Sequence, residues 1–234
     1  MTIETENTAP IRVALVTGGH PFDVPALHNL FRSLTRVDFY PQHMEDFAAD
    51  VGSVRDTYDV VVFYHMLKET PTGDETWYAQ PIKAAVESLG DTPQGLLLLH
   101  HAIVAYPEWE VWRNLSGLDP RTFQGYSIGE DVPVRVASSG HPILHGLEDW
   151  VMQDETYAMD DPLDAEDVLL TTSHPKSMKV LAWTRRHRRA PVCCIQPGHG
   201  GHAFGHPAFR RLVGQTIDWL AMQSRIEREV DRNA

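Results

Sequence analysis

The chain is poor in cysteine, in positive charge and in long apolar runs, and each shortage removes a class of protein. Its two cysteines, Cys193 and Cys194, are chain neighbours in an apolar, strand-like segment where successive side chains point to opposite faces, so they make a poor structural disulfide. Twenty Lys and Arg against 32 Asp and Glu give a formal net charge of −12, which opposes approach to a phosphate backbone and excludes nucleic acid as a partner. No apolar stretch approaches the roughly 18 residues of a membrane span, and no cationic segment followed by an apolar one opens the chain. The expectation is a cytoplasmic protein with no membrane partner.

What remains is ordinary globular composition, 42% hydrophobic and 22% charged, over a length of 234 residues that suits one α/β domain. Short apolar runs alternate with amphipathic segments, the pattern of βαβ units around a parallel sheet. Ile11–Val16, Val37–Tyr40, Asp59–Tyr64 and Gly95–Leu99 read as strands, the third and fourth apolar on both faces. Leu27, Leu30, Phe31 and Leu34 mark a first helix, and others are expected over Trp77–Leu89, Tyr106–Leu115 and Pro207–Met222. Asp131–Ala137 and Val168–Thr172 look like strands, whereas Met152–Tyr157 shows no clean period. Val180–Trp183 and Val192–Ile195 form a hairpin around the basic run Arg185–Arg189, which reads as a solvated tip or as an anion or partner contact. No linker or repeat divides the chain. The expected organisation is a flexible N-terminus over residues 1–10, one domain over 11–222 and a charged tail over 223–234.

Open α/β sheets bind ligands beyond the carboxyl ends of their strands. Applied here, that rule selects His20 after the first strand, His65 after the third, His100 and His101 after the fourth, and His199 after a late strand. Imidazole has no packing advantage at the end of an apolar strand or in a glycine-rich turn, so these positions point to proton transfer or metal binding. His141, His145, His187 and His206 are sufficiently explained as turn, cap or surface residues. The stretch Gln196–His202 carries Gly198, Gly200 and Gly201, which lets backbone approach a ligand closely. It lacks a following Lys-Ser/Thr and an immediate helix, so neither a phosphate cradle nor a nucleotide cofactor is expected. Asp154 and Glu155 are adjacent carboxylates that diverge in direction, so one acid at the site is expected, with Tyr157 placed to bind a sugar hydroxyl or to fill core.

Several spaced segments then resemble one family, the ThuA-like proteins of trehalose utilisation. They are Thr17–His20, Gly95–Ala102, Gly140–Leu147, Asp154–Tyr157, Pro197–Gly200 and His206–Phe209, collinear from about Ile11 to Trp219. The resemblance implies a class I glutamine amidotransferase-like fold, a flavodoxin-like three-layer sandwich with a mostly parallel central sheet. Amidotransferases of this fold carry a nucleophilic cysteine after the fourth strand, where this chain has His100, and His199 takes the place of their catalytic histidine. A histidine cannot form the thioester of glutaminase action.

The resemblance also implies carbohydrate metabolism, with a small-molecule sugar as partner and room for a homo-oligomer. Catalysis is assigned to His100, His101, His199 and Asp154 or Glu155, and substrate contacts to Gly19, His65, Tyr157 and Gly198. A divalent metal, zinc by donor type, is expected at His20, His101 and His199. A glycoside or 3-keto glycoside processed by imidazole acids and bases is the first functional reading. A non-catalytic sugar-binding or assembly domain is the second. Hydrolysis by paired carboxylates is a third, its second acid open among Asp23, Glu69, Glu108 and Glu130.

Overall fold

The computed structural model describes residues 9–137 and 140–232. The flexible segment expected over 1–10 therefore lies almost wholly outside the described residues. The first half alternates as expected: β1 (Ile11–Gly18), α1 (Val24–Arg32), β2 (Val37–His43), α2 (Met44–Ala49), β3 (Val60–His65), α3 (Ala79–Glu87) and β4 (Gly95–Leu99). A 3-10 turn over His100–Val104 leads to α4 (Glu110–Ser116), and then come β5 (Gly125–Val136), β6 (Trp150–Ala158), β7 (Asp167–Thr171), β8 (Val180–His187), β9 (Ala190–Ile195), α5 (Gly201–Gly205) and α6 (Pro207–Arg232). Local chemistry explains the starts and stops. At α1 the Asp23 carboxylate accepts from the Ala26 N–H at 3.0 Å, and the face bearing Leu27, Leu30 and Phe31 is buried.

Among the described residues, nine strands form one sheet in the order β2-β1-β3-β4-β9-β8-β7-β5-β6. The pairings from β2 through β1, β3 and β4 to β9 are parallel. Those from β9 through β8, β7 and β5 to β6 are antiparallel. The expectation of a mostly parallel sheet is thus corrected to a mixed one. Parallel neighbours need long crossovers, which the helices of the first half supply, whereas β8 returns to β9 through a tight turn. In β5, buried Val132 and Val134 alternate with more exposed residues, the mark of an antiparallel strand with one solvated face.

Two apolar clusters sandwich the sheet. Leu97 and Leu99 of β4 join α1 and α6 on one face, while Leu96 and Leu98 join α2, α3 and α4 on the other. The last helix runs past Met222 to Arg232, because its charged end is paired: Arg225 with Asp59 at 3.2 Å, and Glu227 with Arg186 at 3.1 Å. The basic run lies at the β8–β9 hairpin tip as expected, with Arg188 also bridging to Asp91 at 2.6 Å.

Candidate active site

The carboxyl ends of β1, β3, β4 and β9 open on the same side of the sheet, and the side chains after them meet there. His100 follows β4 at φ +54, a left-handed conformation uncommon for a residue with a Cβ, so the chain turns sharply out of the strand into the 3-10 turn. That elbow swings the His100 ring beneath the loop leaving β9. His100 Nδ1 lies 2.7 Å from the Gln196 carbonyl, which can only accept, so Nδ1 carries the hydrogen and the Nε2 lone pair faces the cluster. Around that one lone pair stand the Tyr157 hydroxyl at 3.0 Å, His199 Nδ1 at 3.1 Å and Glu155 Oε1 at 3.6 Å. Glu155 Oε2 is in turn 3.3 Å from His199 Nδ1.

The two adjacent acids divide their work as their divergent directions require. Asp154 accepts from the Gly198 N–H at 2.6 Å and the His199 N–H at 2.9 Å, holding the loop after β9. Glu155 faces the imidazoles. Burial raises the pKa of Glu155, but a hydrogen bond and charge from His100 in its protonated form, then the charge of His199, outweigh burial and leave it below the usual carboxylate value. Neither acid has a lysine or arginine within ion-pair distance among the described residues.

The remaining imidazoles complete the floor and the mouth. His101 is buried, its Nδ1 is 3.2 Å from the His65 carbonyl, and its Nε2 has no partner among the described residues. Burial, followed by the neighbouring imidazoles, depresses its pKa to about 2, so it is neutral at physiological pH. His20 is half-buried, its ring centroid 4.6 Å from that of His101 and 5.9 Å from that of His199, and its Nδ1 is buried without a hydrogen-bond partner among the described residues. His199 is partly exposed, and burial pulls its pKa down, with His100 adding to the effect. His20 and His199 are therefore the rings a ligand can reach.

Of the other residues expected to touch substrate, Tyr157 sits in the cluster, while Gly198 and Gly19 shape its walls. Gly198 has φ +128, and a Cβ there would meet Phe209 Cζ at 3.0 Å. At Gly19, φ +70, a Cβ would meet the Met66 carbonyl oxygen at 2.7 Å. His65 lies behind the site, fully buried against Tyr106 and Trp112, and reaches the cluster only through its backbone carbonyl. Of the acids considered as a second carboxylate, Asp23 caps α1 and Glu130 pairs with Lys176 and His174. The cysteines are buried within β9, away from the elbow, and burial pushes the Cys193 thiol up to about 12.

Two participants escaped sequence reasoning. Gln196 sets the His100 tautomer through its carbonyl, and its side chain donates to the Glu155 carbonyl at 3.0 Å. The Tyr64 ring lies tilted against His101 with centroids 4.4 Å apart, and its hydroxyl donates to the Gly198 carbonyl at 3.2 Å. Both are polar residues at the carboxyl ends of apolar strands, the same signal that exposed the histidines.

The fold is of the amidotransferase-like α/β class, with His100 at the elbow after the fourth strand and His199 after a late one. The chain belongs to the ThuA family, described as trehalose utilisation, whose pattern matches residues 24–220. No curated protein matches it. Among solved structures, a ThuA-like protein of Parabacteroides merdae is 19% identical with a TM-score of 0.70, covering 91% of this chain and 90% of its own. One from Bacteroides uniformis is 16% identical with a TM-score of 0.65, covering 91% and 92%. A glutamine amidotransferase of Thermotoga maritima, 10% identical at a TM-score of 0.52 over 90% and 98%, extends the likeness in fold to the amidotransferase class.

Proposed function

We propose that this protein is an enzyme of carbohydrate metabolism that processes a glycoside, most favourably a 3-keto glycoside, by proton transfer through its imidazole cluster. The observation that carries the reading is the convergence of His20, His100, His101 and His199 with Glu155 and Tyr157 at strand ends that hold no thiol. Family membership supplies the sugar. Imidazoles supply what a keto sugar needs.

A ketone at C3 acidifies the C2–H bond. Removal of that proton by an imidazole gives an enolate, and when the carbonyl reforms, a C1–C2 double bond forms and the C1–O glycosidic bond breaks. The departing oxygen then takes a proton from the cluster. His20 and His199 are the accessible acceptors of the C2 proton. His100 and Glu155 hold His199, Asp154 holds its backbone, and buried His101 stays neutral beside them as a positioning residue. Tyr157 brings a hydroxyl donor to the same centre.

A panel of glycosides, their 3-keto forms and glutamine tests this directly. The expected outcome is turnover of a keto glycoside, slowed by deuterium at C2, with His199→Ala and His20→Ala each lowering kcat by about 10²-fold or more, the usual scale for a lost general base. Turnover of glutamine would overturn the reading. Saturable sugar binding without turnover would transfer the assignment to a binding or assembly domain.

A further inference from the structure

The geometry points to a divalent metal site held by His100 Nε2, His199 Nδ1 and a Glu155 carboxylate oxygen, with zinc the best-fitting ion. It differs from the trio His20, His101 and His199 expected from sequence, of which only His199 belongs to it. Among the described residues, the donor atoms of His100, Glu155 and His199 all lie within 4.8 Å of one another.

Three observations converge on a cation. The first is size. Bonds of about 2.0–2.1 Å in a tetrahedral zinc site place neighbouring ligand atoms about 3.3–3.4 Å apart, whereas right-angled octahedral ligands at that bond length stand about 2.9 Å apart. The observed separations are 3.1 Å between the imidazole nitrogens, 3.3 Å from His199 to Glu155 Oε2 and 3.6 Å from His100 to Oε1. The two separations to Glu155 run to its different oxygens, and all three lie nearest the tetrahedral scale on average.

The second is tautomer. A metal-binding imidazole typically donates its other N–H to a carbonyl or carboxylate, which fixes the ring and turns a lone pair toward the ion. His100 does this with Gln196 at 2.7 Å. Its inward lone pair is then approached by both the Tyr157 hydroxyl and His199 Nδ1, although one lone pair serves only one good hydrogen bond. A cation between the imidazoles resolves that competition, since both nitrogens then act as donors to the ion and Tyr157 is left to bond the carboxylate.

The third is charge. Asp154 and Glu155 are 6% and 7% exposed, and the partners of Glu155 within ion-pair distance are imidazoles alone among the described residues. Asp154 is neutralised in part by two backbone N–H groups. Glu155 has no such donors among them. Buried charge is paired or coordinates metal, and here the partners of Glu155 within ion-pair distance are the same imidazoles that would bind the ion.

Three protein ligands leave a fourth position, on the partly exposed His199 side, for water or a substrate oxygen. With His199 committed to the ion, His20 becomes the ring that accepts the substrate proton. Metal binding itself does not rest on the sugar reading, and it is measured without any sugar.

The test is calorimetric titration of zinc into chelator-stripped full-length protein, with cobalt(II) as a spectroscopic stand-in. The expected result is one zinc per chain, a raised Tm, and visible cobalt bands of tetrahedral intensity. Glu155→Gln and His199→Ala, each checked for folding by circular dichroism, should weaken binding by at least about tenfold, the lower end of what even indirect ligand support contributes. His20→Ala should keep stoichiometric zinc while losing turnover. The site is refuted if the folded wild type takes up no stoichiometric zinc, or if His20→Ala loses the metal and Glu155→Gln keeps it. Zinc binding without activity on any sugar would sustain the site and overturn the substrate, so the two readings fail separately.

Discussion

At the scale of single residues, the site turns on the imidazole at His100. The elbow beneath it lies at φ +54, and its side chain presents Nε2 to the Tyr157 hydroxyl. Both sulfurs are buried, and burial holds Cys193 and Cys194 protonated. Accordingly, Cys193→Ser combined with Cys194→Ala should leave turnover within about twofold of wild type while lowering Tm through poorer packing. Loss of turnover in a folded variant, or alkylation blocked by substrate, would restore a thiol mechanism. The histidines were legible in the sequence because they stand at the ends of apolar runs or in the glycine-bearing turns just beyond them, where imidazole has no packing advantage. Which acid faces them was not, since the choice between Asp154 and Glu155 depends on how β6 twists over the β9 loop. His65 shows the limit of the strand-end rule: it ends β3 as its counterparts end their strands, yet its ring turns away into Tyr106 and Trp112.

At the scale of elements, the site is made where two differently built halves of the sheet touch. Parallel strands supply the imidazoles, and the antiparallel β5–β6 ribbon brings Asp154, Glu155 and Tyr157 back over them. That return was the least legible part of the fold. Asp154 to Tyr157 has no two-residue alternation because all four residues are buried, with Asp154 against the loop after β9 and Glu155 and Tyr157 against the imidazoles. The end of α6 misled in the opposite sense, since its charges read as a tail but pair with β3's approach and the β8–β9 tip. Asp154→Ala should disturb the element contact without touching the reacting groups. It leaves two loop N–H groups without their acceptor, so kcat should fall about tenfold or more, with Asp154→Asn recovering part of the loss because its amide oxygen still accepts. Steady-state kinetics of the pair, with KM compared against kcat, checks this. Equal activity of Asp154→Ala and wild type would remove the positioning role.

At the scale of the whole molecule, burial of imidazole links stability to acid. His65 is lowered to about 3 by burial, with His43 adding a little, against about 6.5 when exposed. The folded state therefore keeps it neutral where the unfolded chain already binds a proton. Its contribution is fully present above pH 6.5 and is lost as pH falls toward 3, at a slope reaching about 1.4 kcal/mol per pH unit. His141 and His206, also lowered chiefly by burial, act in the same direction. Urea titrations at about pH 7.5, 6.0 and 5.0 should show a falling midpoint, with His65→Phe showing a shallower fall. A midpoint that holds steady or rises on acidification would contradict this linkage.

The seam at β9 also imposes an order of events in time. β9 is paired in parallel to β4 and in antiparallel to β8, and the loop leaving it is clasped by Asp154, 44 residues earlier in the chain. Contacts among β1, β3 and β4 involve only residues up to Leu99, so they can form while the later chain is still open. The clasp cannot. It must wait for β5 and β6 to pair, for β7 to β9 to add, and for the ribbon to fold back across their end. During folding, then, a nearly complete sheet precedes a working site, and a nascent chain gathers its four imidazoles only after its last strand emerges. The cluster is withheld until the architecture is finished.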